Sequence, residues 1–298
     1  MVVDRGTAES TTYRRVRHSK ARNVGLALVV SAVALGLPLE ALGQSKPESK
    51  TESTEDWHPG TTLDGQPDMQ GSWSVIGGAI HIEHNLEDGS DKAHIAIHGQ
   101  KFNESHVVIN PPDNKIPYLP SALAQRKLHL ENIYNPNRKY RDPVTSCMLR
   151  GVPRVLFRGV QILQPRGMVV IMSEENHAYR IIPLDKRAHV GANIKLWMGD
   201  SRGWWEGQTL VIDARNFNDQ SWFDRSGNFH SDSLRVVERW TFVSQDRIDY
   251  EATIEDPMVF TKPWKMALKL EREEITPGYE FLEDACHEGF SVRPESRD

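Results

Sequence analysis

From Val155 onward, apolar and polar residues alternate with a period of two along most of the chain. VLFRGVQIL, GMVVIMS, AYRIIPL, QTLVIDA, LRVVERWTFV, RIDYEATIE, KMALKLE and YEFLED are eight such runs, rich in β-branched and aromatic residues. That is the pattern of strands with one buried face. Turn signals separate them: Pro165-Arg166-Gly167, Glu174-Glu175-Asn176, Glu206-Gly207, Gln245-Asp246 and Thr276-Pro277-Gly278. Short strands joined by tight turns predict a mostly β protein, an antiparallel meander. Closing it into a single β-barrel, lipocalin-like in general shape, removes its exposed edges. One segment reads as a helix, PSALAQRKLHLENI (Pro120 to Ile133), with Pro120 and Ser121 suited to its first turn. The remaining chain ahead of Val155 predicts long irregular segments before the barrel.

The meander breaks between QTLVIDA and LRVVERWTFV, where the connection from about Arg215 to Asp232 is far longer than a hairpin needs. Trp222, Phe223 and Phe229 within it need something to pack on. A second long connection, HVGANIKLWMGDSRGWWEGQ, precedes it, and residues 197 to 264 carry six of the eight tryptophans. Barrel mouths fringed with aromatics and a few polar groups bind small molecules. Trp197, Trp205 and Trp222 are therefore candidate stacking residues. Glu238 and Arg239, adjacent in mid-strand, must point to opposite faces, so one charge enters the barrel and needs a partner there. Arg180, Glu174 and Glu255 are candidates for that network, and Arg180 and Glu238 for polar contacts to a ligand.

WFDRSGNFHSD (Trp222 to Asp232) concentrates the candidate chemistry. His230 suits proton transfer near neutral pH, with Asp224 or Asp232 to orient it. Imidazole and carboxylates also suit a metal. The structural alternative is a tied turn: Asp224 and Ser226 bonding their own backbone, Gly227 in a left-handed kink. GDSRGWWEG matches neither the dinucleotide nor the Walker glycine spacing. No nucleotide, flavin or haem motif appears, so no cofactor is expected. An early patch holds His81, His84, His94, His98 and His106, five of the twelve histidines, without completing a recognised metal spacing.

The start of the chain changes the picture of where the protein works. A basic leader, Arg14 to Arg22, precedes the apolar run GLALVVSAVALGLPL and a small-residue site at Gly43, the order of a secretory signal peptide over residues 1–43. A polar tether, 44–56, and one domain, 57–298, are expected to follow, in the periplasm or outside the cell. Removing residues 1–43 takes away six of 36 basic and three of 41 acidic residues, moving the formal net charge from −5 to −8. Such a balance argues against nucleic acid as a partner. No second apolar run of membrane length follows. Cys147 and Cys286 are the only cysteines, and in an oxidising compartment they are expected to pair. A catalytic thiol is the alternative.

Seven segments, in order, carry a resemblance: DGQPDMQGSW, KIPYLPSALAQRK, RDPVTSCMLRGVPR, HAYRIIPLDKRAH, LWMGDSRGWWEGQTLVIDARNFND, SWFDRSGNFHSDSLRVVER and YEATIEDPMVFTKPW. Together the chain resembles a large uncharacterised family of exported bacterial β-rich proteins. It departs from that pattern at Lys186, Trp204 and Gln208, where the family has glycine, arginine and aspartate. The resemblance places both cysteines at family positions, which supports their pairing, and makes WFDRSGNFHSD a family motif. It supplies no reaction. The expected function is an exported enzyme acting on a small, partly hydrophobic organic molecule by cofactor-independent acid–base chemistry: a lyase, isomerase or hydrolase. A non-catalytic carrier of a small apolar ligand, or a metal-dependent hydrolase, are the alternatives.

Overall fold

The computed structural model of the protein describes residues 58–76, 82, 107–132, 135, 137–273, 278, 280–282 and 286. The expected signal peptide and tether lie outside the described residues, as do the five histidines of the early patch. The described strands are β1 (Gly71–Val75), β2 (Val108–Asn110), β3 (Val160–Leu163), β4 (Met168–Ser173), β5 (Tyr179–Pro183), β6 (Asp200–Glu206), β7 (Thr209–Arg215), β8 (Arg235–Ser244), β9 (Arg247–Glu255) and β10 (Trp264–Arg272). They form one antiparallel sheet in the order β5-β4-β3-β1-β10-β9-β8-β7-β6, with β2 paired to the start of β10. The path curls into a nearly closed barrel with one seam, between β5 and β6, that carries no strand pairing.

The alternation read from sequence is the inside–outside pattern of this barrel. Val236, Glu238, Trp240 and Phe242 of β8 are buried, as are Ile248, Tyr250, Ala252 and Ile254 of β9 and Trp264, Met266, Leu268 and Leu270 of β10. Aromatic rings fill the interior. Trp240 meets Tyr250 edge-on at 5.1 Å between centroids, and Trp73 meets Phe242 at 5.9 Å. Such edge-to-face contacts add to the area each ring removes from water.

Four features differ from the sequence reading. The sheet is not one meander: β1, from the segment expected to be irregular, inserts between β3 and β10 and joins two meanders. The residues expected as a loop at GDSRGWWEG form β6, whose inward glycine hid its alternation. Arg154–Phe157, which takes in the first three residues of VLFRGVQIL, is a 3-10 turn rather than strand. Of YEFLED, the described residues 280–282 carry no strand. The helix stands where expected, α1 (Pro120–Glu131), burying Ala122, Arg126, His129 and Leu130 at helical spacing.

The seam closes through side chains. Arg180 of β5 donates to Ser201 Oγ of β6 at 3.0 Å. Next along, Gly203 leaves room for Ile182 and Leu184, since a Cβ there would lie 2.7 Å and 2.9 Å from their terminal carbons. Cys147 and Cys286 are joined, Cα atoms 5.4 Å apart across a separation of 139 residues. In the chain-entropy model a loop that long stabilises the fold by about 5 kcal/mol. Among the described residues, no helix is long and apolar enough to cross a membrane.

Replacing Gly203 by alanine should overpack the seam and cost about 1–3 kcal/mol, measured as a lowered urea midpoint. An unchanged midpoint would mean that Ile182 and Leu184 do not seal it.

Candidate functional site

The connection from β7 to β8 crosses one end of the barrel, and its first half is a tied turn. Asp224 is fully buried. Its Oδ1 accepts from the Ser226 amide (2.9 Å) and the Asn228 amide (3.3 Å), and its Oδ2 from the Ile82 amide (3.0 Å) and Asn228 Nδ2 (2.7 Å). Gly227, at φ +80°, sits against α1, where a Cβ would come within 2.6 Å of His129 Cβ. Asn228 Oδ1 accepts from Tyr118 Oη at 2.9 Å and Arg126 Nε at 3.1 Å, tying the turn to the helix. On its other side, Arg154 donates to the Trp222 carbonyl at 3.3 Å and holds buried Asp142 through both terminal nitrogens.

The second half holds His230. Its ring lies between Phe217 and Phe223, with centroids 6.0 Å and 5.3 Å away, and 2 % of the residue is exposed. Nδ1 stands 2.9 Å from the Ser231 carbonyl, an acceptor, so Nδ1 carries the proton. The Nε2 lone pair then accepts from Ser221 Oγ at 2.8 Å. Ser231 is itself held by buried Asp256, which accepts from its amide (2.6 Å) and hydroxyl (2.8 Å). Ser221 is clamped from behind by Gly151, at φ +73°, where a Cβ would lie 2.2 Å from Ser221 Oγ.

His230 forms part of the floor of a cleft of about 400 Å³. Trp222, Phe229 and His129 form its aromatic wall, the Trp222 and His129 rings stacked at 4.6 Å. Lys139, Arg141 and Asp219 supply its charges. Burial pushes His230 below 6.5, while the Ser231 carbonyl and the Asp256 and Asp219 carboxylates pull the other way. Burial likewise lowers His129, with the Gly227 carbonyl opposing and Lys139 adding to it. Both imidazoles are neutral at pH 7.

The predicted residues are thus divided. His230 and Trp222 share this cleft. Neither Asp224 nor Asp232 orients the imidazole, contrary to expectation: Asp224 spends its oxygens on the turn, and Asp232 lies on the surface, 3.4 Å from Lys195. The Ser231 carbonyl does that work, because the chain turns back on itself immediately after His230. Arg180 and Trp197 line a separate cleft of about 360 Å³ at the β5–β6 seam. Glu238 lies inside the barrel, paired with Arg180 through both terminal nitrogens (3.0 and 2.5 Å), and Tyr250 Oη donates to it at 3.2 Å. Burial and that carboxylate push the Tyr250 phenol well above its usual value. Glu174 and Glu255 stand outside this network: Glu174 accepts from the Leu282 amide and Glu255 pairs with Arg235. Trp205 lines neither cleft. Asp200 and Glu206 are engaged by Arg202 and Arg239 on the barrel exterior. A further cleft, about 710 Å³ on the outer face of β8–β10, contains none of the candidate site residues. Among the described residues, no cluster of three or more histidine, cysteine, aspartate or glutamate side chains is arranged to hold a metal.

Sequence reasoning missed Ser221, Asp256, Gly151, His129, Lys139 and Arg141. The motifs GVPR and IEDP flagged two of these segments without showing that they meet His230. No family model, no curated protein and no solved structure matches the chain.

Two predictions arise here. Removing one partner of the sealed ion pair, as in Arg180→Met or Glu238→Leu, should cost about 3–5 kcal/mol, whereas the double variant should recover most of it. A double variant whose loss equals the sum of the two single losses would show that the charges do not depend on each other. The second concerns pH. Because burial lowers both histidines below 6.5, the native state binds fewer protons than the unfolded chain below that pH. Stability is full above pH 6.5 and falls as pH drops towards the folded values. Asp224, pushed up by burial from 3.8, contributes with the opposite sign lower in the range. Denaturation midpoints followed downward from about pH 7 should therefore decline. His230→Gln should flatten that decline, and an unchanged slope in this variant would exclude a buried neutral His230.

Proposed function

We propose that the protein is an exported enzyme, periplasmic or secreted, that performs acid–base chemistry on a small, partly apolar organic molecule bound in the cleft over His230. One observation carries the reading: a neutral imidazole, held in one tautomer, with its single lone pair engaged by a serine hydroxyl at the floor of an aromatic-walled cleft. A general base needs a free-energy preference for its neutral form at rest and stabilisation when charged. Burial supplies the first. The Asp219 and Asp256 carboxylates supply the second, since both favour the imidazolium.

In this scheme a substrate proton reaching Nε2 displaces the Ser221 donor, and the Ser231 carbonyl keeps the Nδ1 proton in place. Returning the proton to a neighbouring position is an isomerisation; returning it to a leaving group is an elimination. Hydrolysis through Ser221 is less well supported, because Gly151 closes over that hydroxyl. The filled barrel interior also favours the end cleft over the lumen as the ligand site. The paired cysteines are compatible with an oxidising compartment.

The test is a panel of small organic acids, alcohols and lactones incubated with the protein in D₂O and followed by proton NMR for loss or exchange of C–H signals. Turnover should fall by about 10²–10⁴-fold in His230→Gln. Full activity in that variant would remove His230 from the chemistry.

A further inference from the structure

The cleft over His230 is charged as well as aromatic, and the balance of its charges selects a ligand class. We infer that its occupant is a small carboxylate with an apolar or aromatic body. The inference rests on the reading of this cleft as the functional site and adds the chemistry of what enters it.

Lys139 and Arg141 both line the cleft, and among the described residues neither meets a carboxylate within ion-pair distance. The Lys139 ammonium instead lies 5.5 Å from the centre of the Tyr140 ring. This differs from most arginines near the site and along the barrel: Arg150 pairs with Glu175, Arg154 with Asp142, Arg202 with Asp200 and Arg235 with Asp213. In a protein with an acidic balance, two uncompensated cations facing one concavity favour an anion there. Asp219 is the one carboxylate in the lining, and its oxygen already accepts from Gln220 Nε2.

With His129 and His230 neutral, Lys139 and Arg141 against Asp219 leave one net positive charge. A monoanion balances it; a phosphate dianion would leave a negative charge uncompensated in a partly enclosed site. Arg141 offers the forked donors that fit a carboxylate. The stacked Trp222 and His129 rings, with Phe229 beside them, present an apolar wall for the rest of the molecule.

Benzoate, benzyl alcohol and inorganic phosphate, titrated into the full chain while the His129 and His230 ring resonances are followed by NMR, test this. Benzoate should shift both rings and bind at least about tenfold tighter than benzyl alcohol, the effect of one charge-assisted contact. Lys139→Gln and Arg141→Gln, both on the cleft rim, should each weaken benzoate by about the same factor, and Asp219→Asn should tighten it. Raising the salt concentration should weaken benzoate and leave benzyl alcohol unchanged. Benzyl alcohol binding as tightly as benzoate, phosphate binding more tightly, or indifference to all three substitutions would overturn the carboxylate and leave the cleft as a binding site. If no probe moves either ring, both the carboxylate and the cleft reading fail.

Discussion

The carboxylate of Asp224 is sealed from water, and four donors from its own loop and from Ile82 stand in for the solvent it has lost. A buried charge left short of partners would cost several kcal/mol, so the loop is held to the one shape that supplies them. That shape turns Phe223 inward against Trp264, with ring centroids 5.8 Å apart. It also brings Gly227 against α1 and delivers Asn228 to Arg126 and Tyr118. His230 leaves the turn with its ring already directed into the space between Phe217 and Phe223. The orientation of the imidazole is therefore set two residues beyond a structural turn, without any direct bond from Asp224.

The barrel itself meets a comparable constraint at its seam. Strands β5 and β6 face each other without strand pairing, so closure rests on what their side chains can do. One inward arginine, one inward glutamate from β8 and the Ser201 hydroxyl bridge the gap, and Ala252 opposite Glu238 leaves space for the pair. The gap beside them is filled by Ile182 and Leu184 over Gly203. Charges suited by residue type to ligand contact are thus consumed in closing the wall. The candidate chemistry is displaced to the end of the barrel, where α1, the GVPR turn, the IEDP turn and the long loop converge.

At that end the electrostatics act in sequence. Burial keeps both histidines neutral, which reserves the positive potential of the cleft for Lys139 and Arg141. The same burial makes His230 a base that gains from the nearby Asp219 and Asp256 once it takes a proton. Ser221 and Ser231, neither with a charge of its own, determine which nitrogen carries the proton at rest. Gly151 determines where Ser221 can stand.

Alternation with period two is a local property, and with the short apolar run of β7 it marked the strands β3 to β5 and β7 to β10 and the barrel they imply, while good helix formers after Pro120 and Ser121 marked the helix. His230 and Trp222 were legible too, as an imidazole and an indole in a long break of the pattern. Strand β1 was not, since five residues carry too little period to read. Nor was β6, whose inward Gly203 interrupts the alternation. Sequence by itself determined the repeating elements and the residue types available for chemistry, because side-chain direction along a strand follows from the backbone alone. Only the tertiary structure decided that Glu238 serves the wall, that Asp224 serves the turn, and that Ser221, Asp256 and the Lys139–Arg141 pair gather around His230. Those choices depend on which distant segments compete for each buried polar group, and no local pattern records that competition.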